Sequence, residues 1–363
     1  MRRLRIVVVQ LLFGFCLLEV GLRLYQPLPF RVHGSRIVLP VHHSYRFETD
    51  APGKLDHVAR HTKNSLGFRG PDPPADLSSR PSIVTIGGST TECLFLSDGQ
   101  TWTDIMARRL ESRWPRLWVN NAGLDGQSTY GHVVLLRDYI VGLRPSVALF
   151  LIGINDVQRD DPTTYDAALA PGGSFPRRAL RALVDRSETL SLVRNLTRAA
   201  HARQLGFGHS AVDVRQLREL KLDPDVVAAE LAQHDRYLPG YENRLARIIA
   251  LCREHGIEPV FITQPALYGM AVDPSTGVDL ATRQFTGRGN GEVEWRVLER
   301  YNDVTRHVAE RAHVPLVDLA RLLPKDSRFF YDHIHYSIEG GTRVGEIVAA
   351  GIEPFLRTRF QPD

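Results

Sequence analysis

Three features of this 363-residue chain predict an α/β domain in which one parallel sheet lies between two layers of helices. Short apolar runs alternate with helical patterns of about ten residues or more. The runs are apolar at consecutive positions, as strands buried on both faces are. Several of them end in Gly, Asn or Asp, at the sheet edge where ligands bind in open α/β sheets.

The elements follow in order. Ser82 to Ile86 reads as a buried strand ending in Gly87-Gly88. Thr101 to Arg113 places Trp102, Ile105, Met106 and Leu110 on one helical face. Leu117 to Val119 is a second strand, and Tyr130 to Leu143 a helix stopped by Pro145. Val147 to Ile152 is a third, wholly apolar strand. A helix over Tyr241 to His255 closes at Gly256, before a fourth strand over Pro259 to Thr263. A helix over Val293 to Ala312, a fifth strand over Pro315 to Val317 and a last helix over Glu339 to Leu356 complete the pattern.

Composition narrows the class. With 43% hydrophobic and 24% charged residues the chain has material for a core and is not disordered. The net charge of +4 is spread along the chain with no run of like charge, which argues against a nucleic-acid partner. Cys16, Cys93 and Cys252 lack C-x-x-C spacing, and Cys93 and Cys252 read as two separate core thiols. Oligomeric state is not legible.

The N-terminus carries Arg2, Arg3 and Arg5 before an apolar run from Ile6 to Leu18, then Glu19 and Val20 to Leu22. No small-x-small cleavage site follows, so residues 1–25 read as an uncleaved signal anchor rather than a cleaved signal peptide. Glu19 must then lie near the outer headgroups, since a carboxylate at the bilayer centre costs about 2.5–3.5 kcal/mol. The arginines stay cytoplasmic and the rest is extracytoplasmic, periplasmic or extracellular; cleavage of the segment would make the protein secreted. Residues 26–80, rich in Pro, His and Arg, read as a linker leading into a wrapped segment. Asn64 to Gly70 forms a tight turn in it, and His42, His43, His57 and His61 lie on its surface. Residues from about 160 to 236 carry extra helical patterns, one over Ser187 to Leu205, and form a helical insertion at the active-site end of the sheet. Asn195-Leu196-Thr197 matches a glycosylation sequon, but its helical position argues against use.

Four motifs sit at strand ends. Gly87-Gly88-Ser89-Thr90-Thr91 presents a serine on a sharp turn. Asn121-Ala122-Gly123-Leu124-Asp125-Gly126 and Gly153-Ile154-Asn155-Asp156 offer the backbone N–H and amide donors of an oxyanion hole. Asp156 reads as a residue that orders its loop. Asp332-His333-Ile334-His335 places a carboxylate three residues before a histidine that it can orient as a base. Each motif has a bland alternative: a turn, loop chemistry, or surface histidines. Asp332, His333 and His335 also form a candidate metal cluster.

In combination and order, these motifs resemble the SGNH (GDSL-like) hydrolase superfamily of bacterial envelope type, over about Ser82 to Leu356. The resemblance implies a flavodoxin-like three-layer fold for residues 81–363. It implies Ser89 as nucleophile, His335 as base and Asp332 as its partner. Oxyanion donors would be the Ser89 and Gly123 N–H groups and the Asn155 amide. No metal or organic cofactor is implied. Two departures stand out: Gly88 where members often have Asp before the serine, and Cys93 where they carry a glycine. The expected activity is hydrolysis of O-acyl, especially acetyl, esters on a small molecule, an extracytoplasmic glycan or a lipid. The alternatives are O-acyl transfer to an envelope polysaccharide by the same residues, a non-catalytic envelope binding module, and metal-dependent hydrolysis.

Overall fold

The structure, a computed structural model, describes residues 2–25, 32–33, 36–158, 166, 175–204, 209–287 and 289–360. Helix α1 (Arg2–Leu24) is continuous, and its side chains are almost all exposed. Two small antiparallel ladders follow: β1 (Val32–His33) with β2 (Arg36–Ile37), and β3 (His43–Glu48) with β4 (Val58–Lys63).

The main sheet begins at β5 (Ser82–Gly87). The single-turn helix α2 (Ser89–Glu92) and α3 (Trp102–Glu111) lead to β6 (Trp118–Asn121). Thr101 and Asp104 cap α3 reciprocally, which fixes where it begins. The helix expected over Tyr130 to Leu143 is broken into α4 (Thr129–Leu135), a π-helical turn at Leu136–Ile140 and α5 (Val141–Leu143). Strand β7 (Val147–Ile152) matches its predicted bounds. Then come α6 (Phe175–Val184), α7 (Glu188–Gln204) and α8 (Pro224–Asp235). The expected insertion start near residue 160 and the end of the Ser187 to Leu205 helix lie outside the described residues. Asn195 lies within α7, buried, and its amide donates to Val32 O. The chain continues through α9 (Leu238–Glu254), β8 (Glu258–Thr263), α10 (Gly291–Arg311), β9 (Leu316–Val317), α11 (Leu319–Leu322) and α12 (Ile338–Arg359).

The five strands run in the order β6-β5-β7-β8-β9, all parallel. Their side chains alternate between two cores, as the strand period requires. Val84, Ile86, Ala148, Phe150 and Phe261 pack against α4, α9 and α10. Ile83, Val147, Leu149, Leu151, Val260 and Ile262 pack against α3 and α12. This is a three-layer α/β/α fold. Cys93 and Cys252 fall in opposite cores, as separate buried thiols. Strand order reverses at β5, where the chain passes to β6 on one side and to β7 on the other, and that divergence opens the crevice for the site.

The segment expected as an irregular linker is more ordered than its sequence predicts. On β4 the inward positions are Ala59, His61 and Lys63, all buried. His61, expected on the surface, is 1% exposed, and burial leads the causes that push its imidazole down to about 3. His42, His43 and His57 are exposed.

Candidate active site

The turn around Ser89 is tied at every carbonyl. Gly88 O accepts from Thr91 and Glu92 N–H, and Ser89 O from Cys93 N–H. Trp102 Nε1 donates to Thr90 O at 3.0 Å and Asn121 Nδ2 to Thr91 O at 2.6 Å. Arg69 Nη1 donates to both Glu92 O and Cys93 O, at 2.8 and 2.7 Å. Arg69 itself pairs with the end of β6 through reciprocal backbone bonds to Asn121. The Asn64 to Gly70 turn thereby clamps the residues around Ser89.

Both departures in the first motif have a local cause. A Cβ at Gly88 would lie 2.1 Å from Asn155 Nδ2, so this packing leaves no room for a side chain before Ser89. Cys93 closes α2 in the left-handed conformation, φ 52° and ψ 57°, where glycine is favoured. Burial pushes the Cys93 thiol up to about 12, so it is no competing nucleophile.

Ser89, His335 and Asp332 form one hydrogen-bonded row. Ser89 Oγ lies 2.7 Å from His335 Nε2, and His335 Nδ1 lies 2.6 Å from Asp332 Oδ2. Asp332 Oδ1 accepts the backbone N–H of Ile334 at 2.8 Å and of His335 at 2.7 Å, so the short Asp-x-x-His loop aims both side chains. Burial opposes the Asp332 charge. The neighbouring His335 and His333 and the hydrogen bonds from His335 outweigh it and hold the carboxyl at about 2. An ionised Asp332 requires the proton on His335 Nδ1, which leaves Nε2 to accept from Ser89.

The oxyanion expectation needs one correction. Gly123 donates its N–H to Asn121 Oδ1 at 2.9 Å, so that group is committed inside the loop. Its Cβ direction also faces Glu92 N at 2.4 Å, away from an open position. Three residues on, Gly126 has φ +72°, and its N–H donates to no acceptor among the described residues. The same holds for Ser89 N–H. Asn155 Nδ2 donates to Gln127 O at 2.9 Å, next to Gly126, which orients the amide beside the serine turn. Gly126 is in the same Asn-rich motif as Gly123, and its positive φ is the feature that separates the two. Asp156 is buried and accepts from the Thr129 N–H and hydroxyl and from Arg244. It ties α4 to the loop after β7.

His209 was not singled out by sequence. It enters from the segment after α7, and its ring lies 4.2 Å from that of His335. Its Nδ1 is 2.7 Å from the Tyr331 hydroxyl and its Nε2 is 3.5 Å from Asp125 Oδ2. Burial works against its charge, but Asp125, with Asp332 and Glu92, raises its pKa above the usual histidine value. Among the described residues, the cluster spaced for a metal is His209, Asp332 and His335; it does not include His333. Both nitrogens of His335 and both oxygens of Asp332 are already engaged in the row, so this donor set does not suit an ion.

Residues 85–205 match the GDSL-like lipase/acylhydrolase family. That stretch holds Ser89, Gly126 and Asn155 but stops short of Asp332 and His335. No curated protein matches the sequence. Among solved structures, an acetylxylan esterase from Geobacillus stearothermophilus is 16% identical, with a TM-score of 0.42 over 76% of this chain and 93% of its own. A GDSL-like lipase from Bacteroides thetaiotaomicron is 11% identical, with a TM-score of 0.39 over 80% and 93%. An α/β hydrolase from a lake metagenome is 18% identical, with a TM-score of 0.42 over 75% and 95%. The family likeness therefore rests on residues 85–205, which carry a GDSL-like lipase/acylhydrolase signature.

Proposed function

We propose that the protein is an ester hydrolase that works through an acyl-serine at Ser89 and removes O-acyl groups, foremost acetyl, from an extracytoplasmic glycan or lipid. The observation that carries the mechanism is the 2.7 Å contact between Ser89 Oγ and a histidine whose other nitrogen is fixed by an ionised aspartate. His335 Nε2 takes the hydroxyl proton as Ser89 Oγ bonds to the ester carbonyl carbon. The resulting oxyanion is met by Ser89 N–H, Gly126 N–H and the Asn155 amide. The carbon–alcohol oxygen bond then breaks, and His335 returns its proton to the departing alcohol. Water attacks the acyl-serine, His335 takes its proton, and the carboxylic acid leaves as that proton returns to Ser89.

The rings of His209 and Tyr331 lie near His335, which is 8% exposed. So closed a site favours a small acyl group. For location, the support is α1: an 18-residue window within Arg3–Leu24 has mean hydropathy 2.0, and none of it is buried. At 23 residues the helix is about 34 Å long, enough to cross a bilayer. Glu19 lies at its outer end, where it accepts from Ser187 Oγ and from the Glu188 and Thr189 N–H groups at the start of α7. We read α1 as an uncleaved signal anchor, because cleavage would strip this cap from α7.

The test is to present the detergent-solubilised full chain with O-acetylated polysaccharides and acetylated lipids and to follow the acyl group. Free acetate as the main product supports hydrolysis. Accumulation of a newly acetylated glycan, in preference to acetate, would reassign the protein as a transferase.

A further inference from the structure

We propose that a row of half-exposed rings leading from the N-terminal hairpin to His335 is a binding track for a polysaccharide chain. This deepens the functional reading above and rests on it for the identity of the reacting end.

The row is continuous. On one face of β3, His43 lies 4.4 Å from Tyr45, and Tyr45 is stacked 5.7 Å from Phe47 at 8° between planes. Phe47 lies 5.7 Å from Phe95, just beyond the nucleophile turn. Phe95 lies 5.1 Å from His209 and 6.0 Å from Tyr331. Those two rings in turn lie 4.2 and 5.6 Å from His335. Four separate segments contribute: the hairpin, the α2–α3 loop, the segment after α7 and the α11–α12 loop that carries Tyr331. The hairpin lies outside the matched family region, so its part of the row is an addition of this chain to that region.

Exposure favours a ligand over simple packing. Tyr45, Phe47, Phe95 and His209 are each partly exposed, and His43 fully so, whereas rings that only build a core are covered. Contiguous exposed aromatic surface beside a reactive group marks a binding site. The chemistry of the row selects a sugar. A pyranose offers a flat C–H face to an aromatic ring and hydroxyls at its rim. The exposed imidazole of His43 supplies a polar partner at such a rim. An acyl chain would instead need an enclosed groove that excludes water, and a half-open row broken by imidazoles does not provide one.

The experiment uses the solubilised full chain with chemically O-acetylated xylohexaose, O-acetylated methyl xyloside, p-nitrophenyl acetate and p-nitrophenyl palmitate. Wild type is expected to prefer the hexaose to the monomer. Tyr45→Ala and Phe95→Ala should each lower the ratio of hexaose to p-nitrophenyl acetate kcat/KM about tenfold, through KM, as loss of one ring contact implies. Arg46→Ala, exposed on the opposite face of β3, should leave that ratio at the wild-type value. Equal wild-type activity on hexaose and monomer, or loss of palmitate rather than hexaose turnover in Tyr45→Ala, overturns the proposal; the second result would assign the row to lipid. Titration of Ser89→Ala protein with the hexaose measures the track without turnover. Wild type that binds the hexaose but never cleaves p-nitrophenyl acetate keeps the track and removes the catalytic reading. Binding equal in Ser89→Ala and in Ser89→Ala with Tyr45→Ala removes the track alone.

Discussion

Lys63 Nζ lies 3.0 Å from Glu92 Oε1, with both side chains essentially sealed from solvent, at 1% and 0% exposure. The other Glu92 oxygen accepts the Asp125 N–H at 2.6 Å. One carboxylate thus joins the hairpin, the turn around Ser89 and the loop that carries Gly126. Lys63→Met removes one partner and strands a buried charge, so it should destabilise the fold by about 3–5 kcal/mol. Urea unfolding of wild type and variant measures it. A loss under 1 kcal/mol would mean that Glu92 finds compensation elsewhere.

Asn155→Ala is expected to lower kcat on p-nitrophenyl acetate by about 10²–10³-fold while KM moves little, because the amide acts on charge that develops only in the transition state. A change confined to KM would place Asn155 in ground-state binding instead.

Asp332→Asn should retain the backbone turn but lose the charge that fixes the His335 tautomer. The expected cost is roughly 10⁴-fold in kcat. The same residue contributes to acid stability. Its native carboxyl titrates at about 2, below the ordinary carboxylate range near 3.9, so its contribution is complete above that range and is lost as pH falls toward 2. Stability of wild type relative to Asp332→Asn should therefore decline between about pH 4 and 2, read from denaturant midpoints across that window.

His61 acts higher in pH. Burial first, then Arg69 and Lys63, keep the native imidazole neutral down to about 3. The unfolded chain binds a proton there near pH 6.5, so stability falls as pH drops below 6.5. The slope from this residue is about 1.4 kcal/mol per unit until the native imidazole itself titrates. His61→Phe should flatten the thermal stability profile between pH 6 and 4. An unchanged slope would show that His61 ionises in the native state.

Much of the fold was legible because buried parallel strands are apolar throughout. β7 shows this best: all six of its residues are buried and its bounds came out as predicted. The β3–β4 hairpin was hidden because its inward face carries His61 and Lys63, polar residues whose partners lie far along the chain. Ser89, Asn155, Asp332 and His335 stood out by motif. Gly123 and Gly126 share one motif, and only their folded geometry distinguishes them: the hydrogen bond from Gly123 to Asn121 and the positive φ of Gly126. His209 carried no local signal at all, since its role depends on where the segment after α7 returns to the sheet.

The most direct measurement is fluorophosphonate labelling of the solubilised full chain beside Ser89→Ala, with p-nitrophenyl acetate turnover on both. An activated Ser89 predicts stoichiometric labelling and turnover in wild type, both abolished in Ser89→Ala. Labelling or turnover that persists in Ser89→Ala, or a folded wild type that does neither, would show that the Ser89–His335–Asp332 row is not the catalytic centre.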